Sequence, residues 1–330
     1  MLKNREAYIC LSAMLRAREP KLLTAEQAEH MIDAPSFEDA AKTLTDLGYE
    51  DMSHMTAKET ERALTLRREA VFAEIDRLCP DKGLTDIFRL KYDYHNLKVI
   101  IKSEASGTEA SGLLSGSGRM DPQELKSLYN EAQYRYMPGK LGEAAEEAKN
   151  LLARTSNPQL SDFLLDRAYF AELSTVAESS GNDFLKGYAK LLIDIANLKG
   201  IVRTLRMGKS RDFLEDVLVT GGKISVRDIL SADNTEKIFV LFSRAGLEKV
   251  CEAGRQAVEG GRLTEFELVC DNAVNSYIKL SRHVTYGSEP VAAYLASIEN
   301  ETTAVRMILT GKLAGIKSEI LRERLRDLYV

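Results

Sequence analysis

Apolar residues recur along the chain at intervals of three and four positions, and no sustained stretch alternates between apolar and polar residues. Intervals of three and four are typical of helices that bury one face, whereas alternation is typical of strands. Glycine and proline interrupt the helical pattern at Gly107, at 116–118, at 138–139, at 221–222, at 260–261 and at Gly287. The pattern predicts an all-α protein.

Several short motifs predict where helices begin. Thr24, Thr56 and Thr264 are each followed three residues later by Gln or Glu, the pattern of a capping box. Asp121 stands before Pro122, as an N-cap stands before a proline in the first helical position, and Pro290 is predicted to hold that same first position. These motifs place helix starts at five points along the chain.

One segment occurs three times with the same spacing. Asp93, Asp194 and Glu301 can be taken as equivalent anchors, 101 residues apart (194 minus 93) and 107 apart (301 minus 194). Apolar residues stand four, seven and eight positions after each anchor, and a basic residue stands five positions after it. The resulting acid/base pairs are Asp93 with Lys98, Asp194 with Lys199, and Glu301 with Arg306.

The repeat predicts three similar helical domains. Their expected bounds are 1–115, with an N-terminal helix, 116–220, and 221–330, with a C-terminal helix. On each anchored helix the apolar positions form one stripe, with the acid on one side of it and the base on the other. We therefore expect Leu97, Leu198 and Val305 to be buried, and the acids and bases to form interhelical or interdomain ion pairs.

Composition narrows the class of protein. The 330 residues carry a net charge of -5 and contain no long basic tract, which argues against general binding of nucleic acid. The four cysteines are scattered without a C-x-x-C pair, as expected for reduced thiols in a cytosolic protein. No apolar run reaches the length of a membrane span.

The segment KYDYHNLKVIIK (91–102) combines an acid, an imidazole and a lysine, which suggests an active site. On a helix, however, Asp93 and His95 point about 200° apart, so their side chains do not converge. The repeats replace His95 by Ala196 and Thr303 while keeping the apolar stripe. We therefore interpret the segment as structural and predict no catalytic, cofactor-binding or metal-binding residue and no cofactor.

The segment FRLKYDYHNLKVIIK (88–102) resembles a signature of the C subunit of archaeal-type and bacterial V-type ATPases, whose eukaryotic counterpart is the d subunit of the vacuolar ATPase. The segments EPVAAYLASIENETTAVRMILTGKLAGI (289–316), ILRERLRDLYV (320–330) and YICLSAMLRAREPKLL (8–23) are similar to other parts of that family. Ala304 departs from the pattern, because a polar residue is expected there. The resemblance extends from about residue 7 to Val330.

The resemblance implies a funnel-shaped protein with three domains around a pseudo-threefold axis. It would be a non-catalytic central-stalk subunit of a V/A-type rotary ATPase or ATP synthase, present in one copy on the cytoplasmic face of the membrane. Its partners would be the central shaft, which it receives as a socket, and the membrane rotor ring that translocates ions. A free helical-repeat adaptor that binds a partner protein or peptide in its groove is the alternative, and an all-helical lyase or synthase is the third possibility.

A socket that exists before the shaft arrives should have a mainly polar wall, because a large apolar patch would reduce solubility. We expect its surface near the glycine breaks at 116–118 and 221–222 and at basic residues of the opening helix. Arg16 and Arg18 are the predicted partner-binding residues. Reversing both charges should weaken docking of shaft or ring while leaving the protein folded.

Overall fold

A computed structural model describes residues 5–108, 111–210 and 212–330. These residues form α-helices joined by short helical turns and loops, and none of them lies in a β-strand, so the predicted all-α class is confirmed. The α-helices, in chain order, are α1 (Ile9–Arg18), α2 (Ala25–Asp33), α3 (Phe37–Lys42), α4 (Ala57–Leu78), α5 (Lys82–Ser106), α6 (Pro122–Asn130), α7 (Leu141–Thr155), α8 (Pro158–Ser179), α9 (Asp183–Arg206), α10 (Phe213–Val217), α11 (Val226–Ser231), α12 (Thr235–Phe242), α13 (Glu248–Val258), α14 (Leu263–Lys279), α15 (Ser288–Leu313) and α16 (Ser318–Arg324). Short 3-10 turns occur at Arg5–Tyr8, Glu19–Lys21, Thr45–Leu47, Ser111–Leu113, Tyr134–Tyr136 and Leu280–His283, and a π turn at Ser243–Leu247.

Most of the predicted helix starts are correct. Thr24 and Thr56 form complete capping boxes, and Asp121 caps α6 with Pro122 in the first turn. Such caps satisfy backbone N–H groups that have no partner inside the helix, and each stabilises by about 1 kcal/mol. Two starts differ, because α14 begins at Leu263, one residue before Thr264, and α15 begins at Ser288, two residues before Pro290.

The chain forms two compact units, and in the sequence unit 1 stands between the two parts of unit 2. Unit 1 consists of Lys82–Glu259, and unit 2 combines Leu2–Asp81 with Gly260–Val330, described from Arg5 onward. Helices α5 to α13 therefore belong to unit 1, and α1 to α4 join α14 to α16 in unit 2. The division into three domains stays a prediction.

The core of unit 1 is built around three long helices. Helix α5 packs against α6, α7 and α8, and α9 packs against α8, α10 and α13. The rings of Phe88 and Tyr188 stack with centroids 5.5 Å apart, which joins α5 to α9. Leu97 and Leu198 are fully buried, as predicted from the repeated stripe.

The core of unit 2 surrounds α15. This helix packs against α1, α2, α3 and α4 from the first part of the chain and against α14 and α16. Val305, which was expected to be buried, is 0% exposed and lies in an apolar cluster of unit 2 with Met31 and Ile32 of α2. Within the three described ranges, no helix has both the length and the apolar character needed to cross a bilayer.

Candidate functional site

The three anchor acids make the same kind of contact, which we call a carboxylate clasp: a buried carboxylate of a long helix accepts one or two backbone N–H groups from a nearby segment, called a strap. Strap 1 comprises residues 115–120, strap 2 residues 219–224 and strap 3 residues 22–24. Each strap leads directly into a side-chain-capped helix, α6 at Asp121, α11 at Ser225 and α2 at Thr24. The anchors therefore fix the approach to three helix starts.

Asp93 holds strap 1 to α5. Its side chain is 0% exposed, and Oδ1 accepts the Arg119 backbone N–H at 2.8 Å while Oδ2 accepts Arg119 Nε at 2.6 Å. Three residues further along α5, the buried amide of Asn96 accepts the N–H of Ser115 and donates to its carbonyl, both at 2.8 Å. Strap 1 is thus held near both of its ends.

Asp194 holds strap 2 to α9 in the same way. Its carboxylate accepts the N–H groups of Lys223 at 3.1 Å and Ile224 at 3.2 Å. Asn197 accepts the Val219 N–H and donates to the Val219 carbonyl, both at 2.9 Å. Because the same acid and amide make the same bonds in both places, the repeat is one of hydrogen-bonding function as well as of sequence.

Glu301 completes the third clasp with a strap from the other end of the chain. Its Oε2 accepts the Leu23 N–H at 2.7 Å, and its Oε1 accepts the Tyr49 hydroxyl at 2.6 Å. Arg67 lies 3.8 Å from Oε1, and its guanidinium stacks 3.6 Å from the centroid of the Tyr49 ring. Ala304 stands where the other repeats have an asparagine and makes no amide bond to a strap.

Two glycines let the straps approach the aspartates. A Cβ atom added at Gly118 would overlap the Asp93 carboxylate, and one added at Gly222 would overlap the Asp194 carboxylate. Strap 3 has Leu22 and Leu23 instead of glycine, and its anchor is the longer side chain, Glu301. Glutamate has one more methylene than aspartate and so reaches further from its helix.

Burial raises the pKa of all three anchor carboxyls. The opposing influences are Arg119 beside Asp93, the two strap N–H groups at Asp194, and the Tyr49 hydroxyl and Leu23 N–H at Glu301. A buried carboxylate is costly unless it is fully hydrogen-bonded, and the straps supply those donors. This geometry holds backbone in place, with the carboxylate oxygens used by donors of the same unit.

Arg119 connects the first clasp to a second buried acid. Its Nη1 donates to Glu172 Oε1 of α8 at 2.8 Å, and the Tyr94 hydroxyl of α5 donates to the other Glu172 oxygen at 2.9 Å. The Glu172 and Arg119 side chains are 5% and 10% exposed. One guanidinium therefore neutralises part of two buried carboxylates and joins strap 1 to α5 and α8.

The bases at offset five lie elsewhere on the helices. Lys98 pairs with Asp166 of α8 at 2.6 Å, and Arg306 makes a two-pronged pair with Glu61 of α4 at 2.6 and 2.8 Å. Lys199 lies half-buried on α9. Lys98 and Arg306 therefore each pair with an acid on a neighbouring helix, and not with the anchor acid five residues earlier on their own helix.

The helices also end alike. Gly107, Gly208 and Gly315 each stand fourteen positions after an anchor and have φ values of 66°, 63° and 66°. Such left-handed φ values favour glycine and are typical of helix C-termini. The equal spacing of these glycines is visible in the sequence and is further support for three equivalent helices.

Arg16 and Arg18, the predicted partner-binding residues, both bond within unit 2. Arg16 donates to Glu19 at 2.7 Å, to Tyr329 at 3.2 Å and to the carbonyls of Ser281 and Val284 at 2.7 Å each. A reversed side chain at Arg16 would face carbonyl and carboxylate oxygens, so we now expect this charge reversal to destabilise unit 2. Arg18 makes a two-pronged pair with Glu74, both side chains about one third exposed, and remains a usable test position.

The histidine of the segment 91–102 lies apart from the anchor acid of its helix. His95 is exposed, and its Nε2 lies 3.1 Å from the Leu113 carbonyl oxygen. Across 5–108, 111–210 and 212–330, no group of three or more His, Cys, Asp or Glu residues is arranged to hold a metal ion. Nothing in the sequence indicated the partners Arg119, Tyr49 and Glu172, whereas the equal offsets of Asn96 and Asn197 were visible in it without showing what the two amides bind.

The three clasps define a class of protein: an all-helical protein of repeated long helices, each holding the entry of a shorter helix. A sequence model described as "ATP synthase (C/AC39) subunit" matches residues 11–324. The chain belongs to this family of ATP synthase subunits. It is 24% identical to the C subunit of the V-type sodium ATPase of Enterococcus hirae, covering 98% of this chain and 99% of that one. It is 25% identical to the C subunit of the A-type ATP synthase of Methanocaldococcus jannaschii, covering 99% and 88%.

Proposed function

We propose that the chain is a non-catalytic rotor component of a V/A-type rotary ATPase or ATP synthase, in which it acts as the socket between the central shaft and the membrane ring. The observation that carries the proposal is the family match over residues 11–324, together with two relatives, both C subunits of such complexes, aligned over nearly the whole chain. One copy would sit on the cytoplasmic face of the membrane. The protein would pass torque without chemistry of its own.

The clasps support a mechanical role. A joint under torque must keep the entry to each helix fixed, and fully satisfied buried polar networks make the structure around them rigid. Asp93, Asp194 and Glu301 each tie a strap to a long helix at such an entry. The acids thus serve stiffness, which a coupling protein needs.

Co-purification is the first test. A tagged chain, expressed in its own host, should bring shaft and ring proteins with it, and a complex lacking the chain should hydrolyse ATP without driving ions across the membrane. An adaptor would instead bring an unrelated partner, and an enzyme would bring neither. Isolation of the chain without shaft or ring proteins at low salt would exclude the rotor role.

Arg18 allows a sharper test of the predicted docking surface. The variant Arg18→Glu places like charges beside Glu74, and the swap Arg18→Glu with Glu74→Arg restores an internal pair. If Arg18 contacts shaft or ring, the swap remains deficient in a pull-down with each purified partner. If the swap restores binding completely, Arg18 is a structural residue and the polar-socket hypothesis loses this position.

A further inference from the structure

An extended segment, residues 325–330, follows α16 and lies against α14 and α15 of unit 2. It begins at Leu325 with φ of -68° and ψ of 124°, and none of its residues is helical. Leu328 belongs to the apolar cluster of unit 2 that contains Val305, and Leu325 packs against it. The segment is therefore bound by the helices without belonging to one.

Three asparagines bind the backbone of this segment at one residue. The Asp327 N–H donates to Asn272 Oδ1 at 2.9 Å, and the Asp327 carbonyl accepts from Asn275 Nδ2 at 3.0 Å and Asn300 Nδ2 at 2.7 Å. Asn272 and Asn275 lie three residues apart, on the same side of α14, and Asn300 lies on α15. A carboxamide carries a donor and an acceptor, so asparagine can hold an extended backbone without reading its side chains.

Side chains on both sides of Asp327 add selectivity. Arg326 pairs with Asp271 of α14 at 3.1 Å. Leu328 and Tyr329 are each 5% exposed, and the Tyr329 hydroxyl lies 3.2 Å from Arg16 and 3.3 Å from Ser281. The groove therefore accepts a basic residue, then a residue whose side chain is not recognised, then an apolar residue followed by an aromatic one.

We propose that the groove between α14 and α15 is a receptor for an extended peptide of the pattern Arg-x-Leu-Tyr, filled in this structure by the chain's own segment. The asparagine bonds are exposed to solvent and the segment makes no intrahelical hydrogen bonds, so its release uncovers Leu328 and Tyr329 but breaks no hydrogen bond within α14 or α15. A peptide of the same pattern from another molecule then takes its place. This inference concerns a second binding site and stands whether or not the rotor role is correct.

The test uses the full chain with the segment weakened by Leu328→Asp and Tyr329→Ser. The probe is a fluorescent nine-residue peptide with the sequence of residues 322–330, RERLRDLYV, followed by fluorescence anisotropy. Saturable binding to the weakened chain is expected, with less binding to the unaltered chain because its groove is filled. Adding Asn275→Ala and Asn300→Ala should reduce the affinity by about tenfold or more, since two hydrogen bonds are lost.

A peptide with serine in place of the tyrosine is the matched control and should bind weakly. The proposal is overturned if the weakened chain is folded by circular dichroism but binds no peptide, or binds it equally without the two asparagines. Hydrogen exchange of the unaltered chain gives a second measurement that needs no variant. The Asp327 amide should exchange by local opening, faster than amides within α14 and α15; exchange only together with those helices contradicts the proposal.

Discussion

Replacing Arg119 by methionine should destabilise unit 1 strongly. The guanidinium is the cation shared by Asp93 and Glu172, whose side chains are 0% and 5% exposed. Methionine keeps the apolar stem but leaves both buried carboxylates without the cation. Asp93 then retains the backbone N–H groups of residues 119 and 120, and Glu172 retains the Tyr94 hydroxyl. Breaking a buried ion pair in this way costs about 3–5 kcal/mol.

Urea unfolding, followed by circular dichroism, measures this cost. With a denaturant dependence of about 3 kcal/mol per molar, the loss lowers the midpoint by about 1–1.7 M. Arg306→Met is the matched control, because it breaks a two-pronged pair with Glu61 whose side chains are 33% and 50% exposed. Exposed pairs contribute about 0–1 kcal/mol, so this variant should unfold near the unaltered chain.

The pH dependence of Arg119→Met provides an independent check. Burial already raises the pKa of Asp93, and loss of the neighbouring guanidinium raises it further. A protein loses stability as the pH rises through the raised pKa of a buried carboxyl, so the variant should regain stability as the pH is lowered towards the ordinary aspartate value of 3.8. If Arg119→Met costs no more than Arg306→Met and shows no recovery, the buried network does not hold strap 1 as described.

Three further predictions concern stability. Gly118→Ala should destabilise by about 1–3 kcal/mol in urea unfolding, because its Cβ overlaps the Asp93 carboxylate, whereas Gly112→Ala, with open space, should change stability by about 0.5 kcal/mol or less; equal effects would refute the close approach. Leu97→Ala should lower the free energy of unfolding by about 2–5 kcal/mol, because the side chain is fully buried. His95→Ala should leave both stability and coupled ATPase activity nearly unchanged. A His95→Ala complex that folds and assembles but is inactive would restore a chemical role for His95. Since burial raises the pKa of Asp194 above its ordinary value of 3.8, its stabilising contribution is full below that pH and is lost as the pH rises through the raised pKa. Asp194→Asn should therefore flatten the stability profile from that ordinary value upward, and an unchanged slope would contradict the assignment.

Local signals predicted the helices well. The capping boxes at Thr24 and Thr56 depend on residues three positions apart, and the burial of Leu97 follows from spacing along one helix, so a single sequence contains all the information needed. Thr264 carried the same motif without capping α14, whose first turn starts one residue earlier. Short motifs predict that a helix starts nearby more reliably than they predict which residue is its first.

Contacts between segments that are far apart in the chain could not be predicted from the sequence. The spacing of Asp93 and Glu301 indicated equivalent helices, but nothing in it indicated that Glu301 would hold Leu23, which is 278 residues away. Arg16 was assigned to a partner because it lies on a basic opening helix. Two of its bonding partners are the backbone carbonyls of Ser281 and Val284, and a carbonyl leaves no mark in a sequence pattern.

The third clasp has a consequence for how the nascent chain folds. Tyr49 leaves the ribosome 252 residues before Glu301, and at about 5–20 residues per second this corresponds to a delay of roughly 10–50 seconds. During that interval Met31 and Ile32 of α2 lack the helix against which they pack, while every residue of unit 1 is synthesised. A ribosome stalled before α15 would therefore carry an N-terminal segment with exposed apolar residues, a natural target for chaperones and for proteolysis.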